Sequence, residues 1–231
     1  MAACHVGIRK QAFGPTNTIS LGDVSSLLAI GEAAAAIERG AADVMIAGGY
    51  VAAEGAAFFL LESRDHAERR GFAQRGGKAW GSVAAVSTRC EPSIDSRQPT
   101  GKAIVGAVQD ALEKASVAPS DLAMVKAHGS ARIETDAMEA AALAETIGDA
   151  PVTAPTSYLG SSGAAGGSLE LALALVGWRQ GVVPATLNYE TPDPACPVNA
   201  SAEHRPADGE AMLALNYALT GQAIAAVIER A

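Results

Sequence analysis

At 231 residues, 49% of them apolar, the chain can bury a sizeable core without disulfides or metals. A formal net charge of −8 excludes phosphate-driven recognition of nucleic acid, which needs Lys and Arg in excess. Cys4, Cys90 and Cys196 lack CxxC spacing and indicate neither a disulfide framework nor a metal site.

The start of the chain shows no continuous apolar stretch of the secretory kind, and Arg9 and Lys10 follow a short mixed segment. Thr16 to Ser20 reads as a short strand closed by Leu21-Gly22. Asp23 and Ser25 then stand where side-chain oxygens can accept the unpaired N–H groups of a helix start. Val24, Leu27, Ile30, Ala34 and Ile37 recur at helical spacing, with Gly40 as the residue past the last turn. Asp43 to Ala47 and Ala56 to Leu61 read as strands, and their unbroken apolarity predicts burial on both faces. Arg64, Arg69, Arg70, Arg75 and Lys78 form the one dense basic stretch, read as a solvated face or as a patch for an acidic carrier protein.

The second part repeats this grammar. Ile104, Val108, Ala111, Leu112 and Ala115 line one helix face, and Pro119-Ser120-Asp121 turns into the strand Leu122 to Ala127. Thr135 or Asp136 opens a helix running through Ile147. A glycine-rich loop, Gly160 to Gly167, leads into a helix over Gly166 to Gln180. The loop lacks GxGxxG order and a Lys-Ser/Thr ending, so close backbone approach explains it better than a phosphate cradle. The longest apolar run, Leu171 to Trp178, is too short to span a bilayer, and a cytoplasmic protein is expected. Ala211 to Leu215 and Ala223 to Ile228 are the last strands. The alternation predicts an α/β protein with a largely parallel sheet.

Several stretches in order resemble the β-ketoacyl-acyl-carrier-protein synthases. Met1 to Val6, Gly14 to Asn17 and Ser25-Ser26 through Gly48-Gly49 are similar to that family's nucleophile region. Glu54-Gly55-Ala56 to Leu61-Glu62 resembles the strand closing its first half. Ala127-His128-Gly129-Ser130 with Asp136 and Glu139 is similar to its HGT motif. Thr156-Ser157, Gly160, Ala164 to Gly167, Pro184, Leu187-Asn188 and Thr191 to Pro194 resemble its second-histidine region. The resemblance implies a thiolase-like layered α-β-α-β-α fold. Residues 1–99 would be a remnant of the N-terminal half, incomplete in its first strands, and 100–231 the C-terminal half. It implies no cofactor and no metal.

The departures are chemical. In the family a cysteine thiolate at a helix N-terminus takes the acyl chain as a thioester; the matching residue is Asp23. Two histidines stabilise the enolate and oxyanion; the first matches His128 and the second falls on Ser161. The lysine before the second histidine falls on Thr156, while its carboxylate partner matches Glu170. The glycine- and phenylalanine-rich gate is replaced by Ala218 to Gln222. An acyl-aspartate would be a mixed anhydride, uphill from a thioester, and the carboxyl would repel an incoming malonyl group. Losing one oxyanion donor costs about 3 kcal/mol of transition-state stabilisation. The family segment between Val51 and Glu54 is also missing, so a second polypeptide or altered strand pairing is expected.

Read locally, Asp23 is a helix cap, with a catalytic acid as the alternative. His128 is either structural or the surviving catalytic group, and Ser161 or Ser162 beside it would form a nucleophile–base pair. Glu170, deprived of its lysine, is expected to meet Thr156, a backbone N–H or water. Asp136 and Glu139 read as structural. The expected function is a ketosynthase-like pseudoenzyme, comparable to the chain-length factors that pair with an intact ketosynthase in fatty acid or polyketide synthesis. A residual acyltransferase or condensing enzyme acting on acyl-carrier-protein thioesters is the alternative. The expected assembly is a heterodimer with a ketosynthase or a homodimer, with acyl carrier protein as a further partner.

Overall fold

The computed structural model describes residues 12, 14–50, 55–91 and 99–231. Cys4, His5 and the Met1 to Val6 part of the resemblance lie outside these residues, as does 51–54, where the resemblance implies a missing family segment.

Residues 15–21 form no strand, correcting the expectation for Thr16 to Ser20: among the described residues no strand pairs with them. A 3-10 turn, Gly22–Val24, leads into α1, Ser25–Glu38. Asp23 therefore sits inside the turn and does not cap. Ser25 closes it instead, its Oγ accepting the Leu21 N–H at 2.8 Å and donating to the Gly22 carbonyl at 2.7 Å. Gly40 ends the helix with φ +69°, a left-handed conformation that glycine adopts without strain.

β1 (Val44–Tyr50) and β2 (Ala56–Glu62) form an antiparallel two-stranded sheet. Met45, Ala47, Phe59 and Leu61 face the core, whereas Ile46, Phe58 and Leu60 are 50%, 60% and 64% exposed. Burial on both faces is thus overturned. The strands are apolar on both faces, but among the described residues only one is covered. The short helix α2 (Arg64–Arg69) follows. Beyond it Arg70 bonds Glu62 through both Nε and Nη2 and stacks over Phe72, while Arg69 reaches Asp43 at 3.4 Å. Part of the basic stretch is therefore neutralised internally.

β3 (Ser82–Cys90), a strand the sequence reading lacks, begins the main sheet. The elements α3 (Lys102–Ala115), β4 (Leu122–Lys126), α4 (Ile133–Ile147) and β5 (Val152–Thr153) come next. The one-turn helix α5 (Thr156–Leu159) leads to α6 (Gly166–Arg179). β6 (Val182–Val183) and β7 (Arg205–Pro206) pair as a small ribbon, and β8 (Ala211–Tyr217) and β9 (Gln222–Glu229) form the closing hairpin. Ala218 to Gln222 makes its tight turn: the Ala218 N–H reaches the Gln222 carbonyl at 2.8 Å.

The five strands run in the order β3-β9-β8-β4-β5. β4 pairs in parallel with β5 and β8, but β9 is antiparallel to both neighbours, so the sheet is mixed rather than largely parallel. α3 and α4 cover one face through Ile104, Val108, Leu112, Leu143 and Ile147. α1 and α6 cover the other through Leu27, Ile30, Leu171, Leu175 and Trp178, and β1–β2 packs beyond them. The result is a helix–sheet–helix–sheet stack. It buries β8 on both faces and brings the ends of β4 and β8 beside the first turns of α1 and α6.

Candidate functional site

At the end of β4 the chain leaves the sheet through Ala127-His128-Gly129. Gly129 turns with φ +57°, and a Cβ there would stand 2.8 Å from the Ala154 Cβ, so glycine is needed for both reasons. The turn is held by carboxylates of α4. Glu139 accepts the His128 N–H at 2.7 Å and the Gly129 N–H at 2.9 Å, and Asp136 accepts both the N–H and the hydroxyl of Ser130 at 2.8 Å. Burial pushes the Glu139 carboxyl up to about 7, against the pull of the Gly129 and His128 N–H groups.

Behind this turn lies a buried polar network. Lys126, fully buried on β4, donates from Nζ to Glu170 Oε2 at 2.6 Å and to Asn216 Oδ1 at 2.8 Å. Glu170, on the second turn of α6, accepts the Thr156 hydroxyl at 3.1 Å on its other oxygen. Burial would raise the Glu170 carboxyl, but the Lys126 ammonium outweighs it and the net shift is downward. Asn216 Nδ2 lies 3.0 Å from His128 Nδ1, and the Tyr217 ring meets the imidazole edge-on at 4.8 Å. Burial, and then the Lys126 charge, hold the His128 pKa below its ordinary value.

The glycines at the start of α6 serve close approach. A Cβ on Gly167 would come within 2.7 Å of Asn216 Oδ1 and 3.0 Å of Ser26 Oγ, and Ser26 accepts the Ser168 N–H at 3.0 Å. The helix starts of α1 and α6 are thereby locked together over the network. Above them is a cavity of about 160 Å³. Asp23, His128, Ser130, Thr156, Ser161 and Ser162 are among its lining residues.

Residues 80–190 match the family described as the β-ketoacyl synthase C-terminal domain. The chain is 31% identical over 238 residues to the oxytetracycline polyketide putative β-ketoacyl synthase 1 of Streptomyces rimosus, covering 84% of this chain and 55% of that one. It is 30% identical over 274 residues to the tetracenomycin polyketide synthase ketoacyl synthase alpha subunit of Streptomyces glaucescens, covering 98% and 62%. Residues 80–190 therefore carry a β-ketoacyl synthase C-terminal domain.

Solved ketosynthases agree. A β-ketoacyl synthase from Burkholderia phymatum superposes with a TM-score of 0.84 at 26% identity, over 92% of this chain and 60% of that one. The ishigamide ketosynthase/chain length factor gives 0.80 at 21%, over 94% and 61%. The fold is therefore the thiolase-like ketosynthase fold. The chain spans a little over half the length of the curated relatives it matches.

Of the residues singled out from sequence, Asp23, His128, Thr156, Ser161 and Glu170 all border the cavity, and Asp136 and Glu139 support the turn beside it. Ser161 is exposed and makes no hydrogen bond to His128 among the described residues. Glu170 does meet Thr156, as expected, but it is not deprived of a lysine. Lys126 supplies an ammonium from β4, whereas the resemblance assigns the family's lysine to Thr156 on α5. Lys126, Asn216 and Tyr217 were absent from the sequence reading. A lysine inside a strand otherwise wholly apolar was the available signal, because a buried lysine requires partners.

Proposed function

We propose that the chain is the non-catalytic, chain-length-factor-like member of a ketosynthase pair acting in polyketide synthesis. The observation that carries this reading is Asp23. Matched to the family's nucleophile, it lines the same cavity as His128, and a carboxylate there neither holds an acyl chain stably nor tolerates a malonyl carboxylate beside it. Ser161, matched to the second histidine, brings a hydroxyl where the reaction needs an imidazole donor. The relatives named as polyketide ketoacyl synthases, and the structural likeness to a ketosynthase/chain length factor, support the same setting. Co-expression with an intact polyketide ketosynthase tests it. The two should co-purify as a heterodimer and yield a longer or better-defined polyketide than that ketosynthase alone. Independent purification with an unchanged product would refute the reading.

A second reading, a residual acyl-transfer enzyme, is favoured by one observation: His128 and the hydroxyls of Ser130 and Ser161 share one cavity. Mass spectrometry of the intact chain after incubation with an acyl-pantetheine discriminates. An acyl adduct lost on Ser161→Ala or Ser130→Ala would favour the enzyme.

A further inference from the structure

We infer that Lys126 and Asn216 act as positioning residues that fix His128 as a neutral Nε2–H donor facing the cavity. A lysine ammonium has three donors and no acceptor, so the Asn216 atom 2.8 Å from Lys126 Nζ must be the carbonyl oxygen. That fixes the amide: Nδ2 faces the other way. It stands 3.0 Å from His128 Nδ1 and 3.3 Å from Glu170 Oε2, one hydrogen for each. The flipped amide would set its NH2 against the ammonium and its oxygen against the Glu170 carboxylate, so two independent contacts enforce one orientation.

Because Nδ2 is a donor, His128 Nδ1 must accept, and the imidazole proton resides on Nε2. Asn216 is fully buried and Gly167 closes against its Oδ1, which leaves the side chain no room to turn. Nε2 is the ring nitrogen left for the cavity. His128 thus presents a hydrogen-bond donor rather than a general base. This also bears on the idea of a serine–histidine pair, since a base would need Nε2 unprotonated. Resting on the ketosynthase-like reading above, the group it receives is a carbonyl oxygen, such as that of a pantetheine thioester.

The test uses the whole chain labelled with 15N-histidine, read by long-range proton–nitrogen correlation at neutral pH. His128→Gln assigns its signal among the four histidines. Two controls are built in. His204 Nδ1 accepts the Ala185 N–H at 3.0 Å and should show the same Nε2–H pattern, whereas His66 Nδ1 faces Glu62 and should be protonated. His128 is expected to show a protonated Nε2 and an unprotonated Nδ1. A protonated Nδ1 in the unmodified chain would overturn the inference without recourse to any variant. Asn216→Asp places an acceptor at Nδ1 and should abolish the neutral Nε2–H signature, while Asn216→Leu should give a mixture of tautomers. Persistence of a pure Nε2–H form in a folded Asn216→Leu chain would equally overturn it. Acetyl-pantetheine should then shift the His128 Nε2 signal. An unmoved signal with the expected tautomer would count against the ketosynthase-like reading and leave the positioning role standing.

Discussion

At the scale of single residues, the site rests on two buried carboxylates held in opposite ways. Glu170 is ionised by a fully buried ammonium, and removing one member of such a pair strands the other. Lys126→Met should therefore cost about 3–5 kcal/mol in urea denaturation, and Lys126→Met/Glu170→Met should recover most of that loss. A single variant costing under about 1 kcal/mol would contradict the network. Glu139 forms no ion pair among the described residues, and burial, outweighing the Gly129 and His128 N–H groups and the Lys126 charge, raises its pKa from 4.5 to about 7. The native state then binds a proton that the unfolded state has released, so stability from this group is full below about pH 4.5. It is lost as pH rises through about 7, by about 3 kcal/mol in all. Glu139→Gln should flatten that part of the stability profile between pH 5 and 8; an unchanged profile would place the titration elsewhere. Sequence reading found Glu139, Asp136, His128 and Glu170 because they ride on a resemblance. It missed Lys126 and Asn216 because their partners lie 44 and 90 residues away, and no local pattern joins them.

At the scale of elements, what was legible depended on whether a local period survived packing. The helix face of Ile104, Val108, Ala111 and Leu112 is regular and was readable, and so was the apolar run of β8. β3 was not. A register shift between Val83 and Ala85 breaks the two-residue alternation that marks a half-buried strand. β1 and β2 misled in the other direction, since apolarity on both faces was taken for burial on both. That outer face yields a contrast between adjacent residues of β2. Phe58→Ser with Leu60→Ser should change folding stability by no more than about 0.5 kcal/mol each, because both side chains are mainly exposed. Phe59→Ser or Leu61→Ser, packed towards α1 and α6, should cost about 2–4 kcal/mol. The outer pair should instead reduce self-association measured by light scattering. Equal losses from both faces in urea melts would show that β1–β2 is covered on both sides.

At the scale of the whole molecule, a helix–sheet–helix–sheet stack ending in Ile46, Phe58 and Leu60 presents an apolar face at its outer layer, an arrangement that favours association. The same stack brings the starts of α1 and α6 to one cavity, where the thiolase-like fold is kept while Asp23 and Ser161 stand at positions the resemblance assigns to a nucleophile and an imidazole. We propose that this scaffold does not condense acyl groups by itself. Incubating the purified chain with acyl- and malonyl-acyl-carrier protein, and searching for the β-ketoacyl product by mass spectrometry, tests it most directly. No product is predicted from the chain alone; a β-ketoacyl product that disappears in His128→Ala would contradict the account.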